Sequence, residues 1–319
     1  MPWRIVSALS ITHLVSYGTL FYAFALLIEP MERDLGWSKT ALTAAFSLAL
    51  VSSGFFAVPV GRLIDQGYGR AVMTGGSVLA ALLLVLWAVT ESYPAFVLIW
   101  IGMGAAMSAL FYDAGFAVLA LNLSLLARRG ITIITLVAGF ASTVFIPLLH
   151  ILIDHYGWRG TILAMAALNI GICALLHASS IPAASKPPRH EAGSRAVPPS
   201  LSNPRRVLVL PAFWLFVVTN VLQGIISTGL PIHLIPIFLE RGFSIDAAVA
   251  AYAVIGPAQV ATRFLTGFGE RAMSLRGIGV ATMALSALAF LLLPFIPAGS
   301  WLILAFAALY GASNGCSPS

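Results

Sequence analysis

Of 319 residues, 60% are hydrophobic and only 9% charged, against roughly 25% charged in a soluble domain. So much apolar surface excludes a water-soluble globule, and the net charge of +6 sits in loops between apolar runs, which excludes reading it as a nucleic-acid footprint. Two cysteines, Cys173 and Cys316, both in apolar surroundings, indicate neither a disulfide framework nor a metal site, and no cofactor is implied.

A membrane-spanning helix needs about 20 apolar residues. Along the chain such runs occupy 5–28, 40–60, 71–90, 95–124, 131–153 and 160–181, then 210–238, 246–268, 274–295 and 300–317. They are rich in Leu, Ala, Val and Phe and lack period-two alternation, so backbone hydrogen bonding at membrane depth selects helices over a barrel. The first run, from Ile5, is too long for a cleavable signal peptide and leads straight into further membrane sequence. The expected architecture is therefore an all-α polytopic membrane bundle. It has a six-helix half over 1–181, a linker over 182–209 and a four-helix stretch over 210–319. Pro, Ser and Arg without periodicity mark the linker.

Basic residues set the expected orientation. With the N-terminus inside, Arg4, Arg62, Arg70, Arg128, Arg129, Lys186, Arg189, Arg195, Arg205, Arg206, Arg271 and Arg276 fall on the cytoplasmic side. Only Arg33, Lys39, Arg159 and Arg241 fall outside, which is a strong positive-inside bias. The location this predicts is a plasma (cell inner) membrane with the N-terminus and linker cytoplasmic.

Shifting the chain by 206 residues aligns Gly18 with Gly224, Pro30 with Pro236, Gly36 with Gly242, Ser38 with Ser244 and Gly61 with Gly267. Coincident Gly and Pro fix backbone geometry at helix breaks, so the match points to two similar halves. The same offset aligns Ser319 with Asp113, part-way along the fourth helix. The chain is thus read as about ten of an expected twelve spans, stopping inside the tenth.

After the second run comes Gly61-Arg62-Leu63-Ile64-Asp65-Gln66-Gly67-Tyr68-Gly69-Arg70. It resembles the loop between helices two and three of the major facilitator superfamily, with Gly61, Leu63, Asp65, Gly69 and Arg70 matching, one residue inserted and Gln66 in place of a basic residue. Gly267-Phe268-Gly269-Glu270-Arg271 is similar to a degenerate second copy. The resemblance implies a cytoplasmic gate in which Asp65 takes hydrogen bonds from a neighbouring helix end. Without it, the loop reads equally as an ordinary polar turn. The stretches 13–24, Gly36-Trp37-Ser38, Tyr156-Gly157-Trp158-Arg159 and Gly256-Pro257-Ala258-Gln259-Val260-Ala261-Thr262-Arg263 are similar to the monocarboxylate-transporter-like branch. That resemblance implies that Arg263 serves a substrate carboxylate. Gln259 stands where the branch has an Asp, and its first-helix Lys has no counterpart.

Charged residues at membrane depth cost roughly 2.5–3.5 kcal/mol each by insertion scales, so they point to function. Arg263 lies about two turns from the Glu270-Arg271 end of its run and suits a two-pronged carboxylate contact; snorkelling or pairing with Glu270 is the bland alternative. Asp113, in the middle of the fourth run, reads as a proton carrier, a counter-charge for Arg263 or a packing acid. His13, with Tyr17 and Tyr22 along the same helix, reads as a proton relay or a packing histidine. His233, between Pro231 and Pro236, suits an external vestibule. Asn220, Gln223 and Asn314 line a cavity or bridge helices.

The expected function is a secondary transporter of a small organic anion, a monocarboxylate, with a proton as possible co-substrate and the bilayer as surroundings. Alternatives are a hydrophobic-drug exporter of the same fold and an inactive remnant. No Walker-type loop suggests ATP, nothing suggests nucleic acid, and scattered single His and Asp residues suggest no enzyme.

Overall fold

The computed structural model describes residues 2–123, 126–183, 210–269 and 275–315. Among these, ten helices and no strand occur. Helix α1 covers 2–35 and includes a wider π-helical turn, Tyr17–Tyr22. It is followed by α2 (Lys39–Leu63), α3 (Gly69–Val89), and α4, which consists of Tyr93–Leu110 and Tyr112–Leu123. Then come α5 (127–156), α6 (158–180), α7 (Pro211–Glu240), α8 (Ile245–Gly269), α9 (Leu275–Leu292) and α10 (Leu302–Gly315). Nearly all of the linker read at 182–209 lies outside the described residues, as do Glu270, Arg271 and Cys316.

Two helical stretches, 39–89 and 127–180, continue through 51 and 54 residues. Straight, they would reach about 77 and 81 Å, far beyond a hydrocarbon core of about 30 Å. Each reverses at a glycine in the left-handed region, Gly67 (φ 95°) and Gly157 (φ 66°), where a Cβ would clash with its own carbonyl. Side-chain contacts confirm the reversals. Tyr93 reaches back to the Ala41 carbonyl at 3.1 Å, and Trp87 donates to Met31 Sδ. Past Gly157, Trp158 donates to Asp34 at 3.1 Å, while Ile181 at the far end of α6 packs with Ile5. The bundle therefore has one face bearing the N-terminus and an opposite face bearing Asp34, Lys39, Arg159, Glu240 and Asp246.

The expected repeat has a local structural counterpart. Gly36 and Gly242 both adopt positive φ, 70° and 81°. Two residues on, Ser38 and Ser244 each accept the amide of the third following residue, Ala41 and Ala247, at 3.2 Å. These are equivalent helix-start caps 206 positions apart. The α2–α4 and α8–α10 crossings correspond as well. A Cβ on Gly104 would stand 2.1 Å from the Ala49 carbonyl oxygen, and one on Gly311 2.4 Å from that of Ile255. Ala49 and Ile255 are again 206 apart.

An aromatic core of Phe24, Phe46, Trp87, Phe96 and Trp100 ties α1 to α4, its rings 4.8–6.3 Å apart. It belongs to a continuous apolar cluster that crosses into α7, α8 and α10 through Ile235, Phe238, Tyr252 and Phe306. A smaller cluster near the N-terminal face, built on Ile5, Ile64, Val118 and Ile134, draws only on α1–α6 and the Ile64–Tyr68 turn among the described residues. The two halves thus share their packing mainly toward the opposite face.

Between α1 and α6 runs a polar ladder in antiparallel register. Thr12 meets His177 at 2.9 Å, Ser16 meets Cys173 at 3.8 Å, and Thr19 accepts from Asn169 at 2.9 Å. Ser77 of α3 joins at His177 Nδ1, 2.9 Å. One neutral tautomer satisfies all: Ser77 donates to Nδ1, and Nε2–H donates to Thr12, whose own proton goes to the Leu9 carbonyl. Replacing His177 leaves both hydroxyls with backbone acceptors in place, Met73 O and Leu9 O. His177→Leu is therefore expected to cost only about 1 kcal/mol, measured by reversible unfolding in mixed detergent and SDS. A loss above about 3 kcal/mol would mean that the ladder does more than pair the helices.

Candidate functional site

Helices α5 and α8 carry the close contact between the halves, and glycine makes it possible. A Cβ on Gly256 would lie 2.3 Å from Thr143 Oγ1 and 2.7 Å from the Gly139 carbonyl oxygen. With no side chain there, the backbones approach and Thr143 Oγ1 donates to the Ala253 carbonyl at 2.8 Å. Seven residues beyond Gly256, about 10 Å along the helix, the same approach delivers Arg263. Its guanidinium donates to the Thr135 carbonyl of α5 at 3.1 Å and faces the Tyr112 hydroxyl of α4. A cation of one half is thus held against backbone and phenol of the other.

Helix α4 breaks where it meets this cation. Phe111 is extended (φ −85°, ψ −176°), and a second helical segment restarts at Tyr112. Neighbouring rings fill the break: Tyr17 stacks on Phe111 at 4.2 Å and tilts against Tyr112 at 4.7 Å. The Tyr17 hydroxyl lies within reach of the Tyr112 backbone amide, a group that a continuous helix would have bonded internally. Non-helical backbone at membrane depth is tolerated where it lines a site or is buried in protein. Tyr22 of α1 and Tyr252 of α8 meet edge to face at 6.0 Å, and Tyr310 of α10 lies close to both. The guanidinium thus lies beside the Tyr112 hydroxyl and within electrostatic reach of Tyr22, with Tyr252 and Tyr310 of the arginine's own half next along the same row of aromatics.

The residues singled out from sequence fall as follows. Arg263, Tyr17 and His13 converge on the α4 break. His13 is fully buried, stacks on Tyr112 at 5.6 Å, and donates through Nδ1 to the Leu9 carbonyl at 2.8 Å. Its Nε2 lies over Gly115, where a Cβ would be 2.3 Å away, and close to the Phe111 backbone at the α4 break. Asp113 begins the second segment of α4, yet its side chain is exposed rather than buried as expected, because the break turns it out of the packed interior. His233 is exposed on α7, away from this group, and Asn220 lies on α7 with its side chain outside the described residues. Asn314 bonds the Tyr310 hydroxyl one turn earlier on its own helix.

In the loop motif, Gly69 is buried against Val118 of α4, where a Cβ would stand 2.7 Å from Cγ2. Gly61 has open space beside it. Asp65 is exposed, and among the described residues neither it nor Arg70 takes part in an ion pair. Gly267 sits in the last turns of α8, while its partners Glu270 and Arg271 are outside the described residues. The residues that sequence reasoning missed are Tyr112, Tyr252, Tyr310 and the Thr135 carbonyl. Tyrosines within apolar runs were the available signal; the carbonyl had none. A groove on the opposite face, lined by Leu26, Glu29, Lys39, Ile235, Leu239 and Glu240, covers the outer seam and does not reach Arg263.

A family model described as Major Facilitator Superfamily matches residues 9–319. Monocarboxylate transporter 11 of Homo sapiens is 28% identical over 280 residues, covering 83% of this chain and 55% of that protein. Monocarboxylate transporter 13 of Bos taurus is 28% identical over 170 residues, 53% of this chain and 38% of that protein. The matches thus span about two fifths to just over half of these curated relatives. Among solved structures, a bacterial homolog to the human lysosomal transporter Spinster, in an inward-facing and unoccupied conformation, superposes with a TM-score of 0.68 at 13% identity, covering 99% of this chain and 74% of that one. The xylose transporter XylE from E. coli, inward open, gives 0.68 at 13% identity, covering 99% and 80%. At such identity these two establish the fold alone.

Proposed function

The chain belongs to the Major Facilitator Superfamily, and from that premise we propose that it is a secondary transporter moving a small monocarboxylate through the space between its halves. The observation that carries the reading is Arg263, contributed by one half and held by groups of the other beside a broken helix. A guanidinium offers a carboxylate two parallel charge-assisted bonds, and the adjacent Tyr112 hydroxyl a further donor. The names of the relatives support the same substrate class. The N-terminal face is read as cytoplasmic from the basic residues, and the halves share their packing mainly toward the opposite face, so the site opens to the cytoplasm in this state.

Alternating access then consists of rocking the halves about the α5–α8 seam. His13, whose Nε2 sits at the α4 break, and Asp113, exposed beside it, are the groups proposed to take a co-transported proton. Asp65, Arg70 and the Gly267 region are proposed to close the cytoplasmic mouth in the other state.

The test is uptake into liposomes containing this chain, under an imposed inward proton gradient. Radiolabelled lactate and pyruvate are expected to enter faster than into protein-free liposomes and to be driven by the gradient. Gradient-driven extrusion of a hydrophobic dye, with no carboxylate flux, would instead favour a drug exporter. That outcome would also fit the aromatic walls.

A further inference from the structure

The α5–α8 seam does not end at the glycine contact. In antiparallel order, Thr135 meets Arg263, Gly139 meets Val260, Thr143 meets Ala253, and finally His150 meets Asp246. It spans 15 residues of α5, about 22 Å. His150 Nε2 stands 3.3 Å from Asp246 of α8 and 3.7 Å from Asp154, one turn along its own helix. A single nitrogen facing two carboxylates must carry a hydrogen, and protonating the other nitrogen makes the ring a cation between two anions.

Several other charges on this face are engaged elsewhere. Asp34 of α1 takes Trp158 and Arg159, Glu91 takes Arg159, and Glu240 of α7 takes Lys39 of α2 at 2.9 Å. Lys39–Glu240 is a second bridge between the halves, but a lysine–carboxylate pair keeps its charge throughout the physiological range. Histidine, by contrast, is the side-chain type whose charge can change within that range. The His150 side chain is 19% exposed, and those of Asp154 and Asp246 are 59% and 85% exposed, so protons reach it from the aqueous side.

We propose that His150, with Asp154 and Asp246, is a regulatory proton site on the outer seam: a proton bound there latches the two halves together on the face opposite the N-terminus. This rests on the rocking motion of the transport reading, and it is separate from any proton carried with substrate. Acid on that face then holds the transporter open toward the N-terminal face. Alkali removes the attraction and leaves Asp154 and Asp246 to repel one another across the seam, which favours separation.

The test is a distance measurement on the whole chain in lipid nanodiscs, by pulsed electron spin resonance. Labels go on Ser92→Cys and Ala298→Cys, exposed positions on the outer ends of the two halves, in a Cys173→Ala, Cys316→Ser background. Between pH 7.5 and 5.5 the ratio of short to long distances is expected to rise about two- to fivefold, the range for an exposed ion pair. His150→Gln, which keeps a neutral donor, is expected to abolish that pH response. Lys39→Gln is expected to lower the ratio equally at both pH values. A response that survives His150→Gln, or that is absent from the unaltered chain, overturns the latch. The readout needs no substrate: a flat response alongside active uptake overturns the latch alone, whereas a pH response without carboxylate uptake overturns the transport reading alone.

Discussion

Gly256→Leu is expected to separate the two halves and to leave a protein that no longer survives purification as a single folded species. The added Cβ alone would stand 2.3 Å from Thr143 Oγ1, 2.7 Å from the Gly139 carbonyl oxygen and 3.1 Å from Ser142 Oγ. A hydroxyl can rotate away, but the carbonyl belongs to the α5 backbone and moves only if the helix does. Overpacking of this kind typically costs 1–3 kcal/mol, and more where backbone must move. Here the displacement also breaks the Thr143–Ala253 and Arg263–Thr135 bonds across the same seam. The measurement is fluorescence-detected size exclusion with a thermal ramp. Gly256→Ala is expected to lose part of the stability and Gly256→Leu nearly all. Gly54→Ala, where nothing lies within 4 Å of the new Cβ, is expected to hold or gain up to about 1 kcal/mol from lower backbone entropy. Equal behaviour of Gly54→Ala and Gly256→Ala would mean that the close approach at the seam carries no energy.

That glycine lies in a stretch whose importance was visible in sequence, but the reason for it was not. Spans were legible because a bilayer imposes length and apolarity on each helix separately, and every predicted run has a helix within a few residues. Helix α1 is the clearest shortfall. The polar stretch after Ile28 reads as a loop, yet the helix continues to Leu35, capped by left-handed Gly36. Its charges are held by partners distant in sequence, Asp34 by Arg159 and Trp158, and nearby, Glu29 by Arg33. The repeat was legible at Gly36/Gly242 and Ser38/Ser244 because turns and caps constrain residue identity. It was silent at the Ala49 and Ile255 carbonyls, where only backbone position is conserved between halves.

The site itself was legible in its charges and not in its geometry. Arg263 and Asp113 were conspicuous because charge is costly in lipid. The α4 break at Phe111 has no Gly or Pro to announce it; it coincides with Tyr17 stacking on Phe111 and with His13 occupying the space over Gly115, contacts made across helices. Proximity of that kind is a property of packing, as is the pairing of His150 with Asp246 96 positions away.

Arg263→Ala is expected to reduce carboxylate uptake by about 100-fold or more while leaving the fold intact. Two charge-assisted hydrogen bonds to a carboxylate are each worth about 1.5–3 kcal/mol, and every 1.4 kcal/mol is a tenfold change in affinity. Stability should change far less, because the Thr135 carbonyl that the guanidinium bonds also accepts the Gly139 amide at 3.0 Å and is not orphaned when the arginine goes. Arg263→Lys retains the charge without the planar fork and is expected to recover only part of the loss, chiefly in maximal rate at high substrate. Tyr112→Phe, which keeps the ring stacked against Tyr17 and His13, should shift the apparent KM by less than tenfold, the range of a single neutral hydrogen bond. Initial rates of lactate uptake in liposomes, normalised to folded protein, separate these cases. If Arg263→Ala transports lactate as the unaltered chain does, the carboxylate is recognised elsewhere. Arg263 would then be a structural bridge between halves, and the same variant should instead show its effect in the thermal ramp that reads the Gly256 seam.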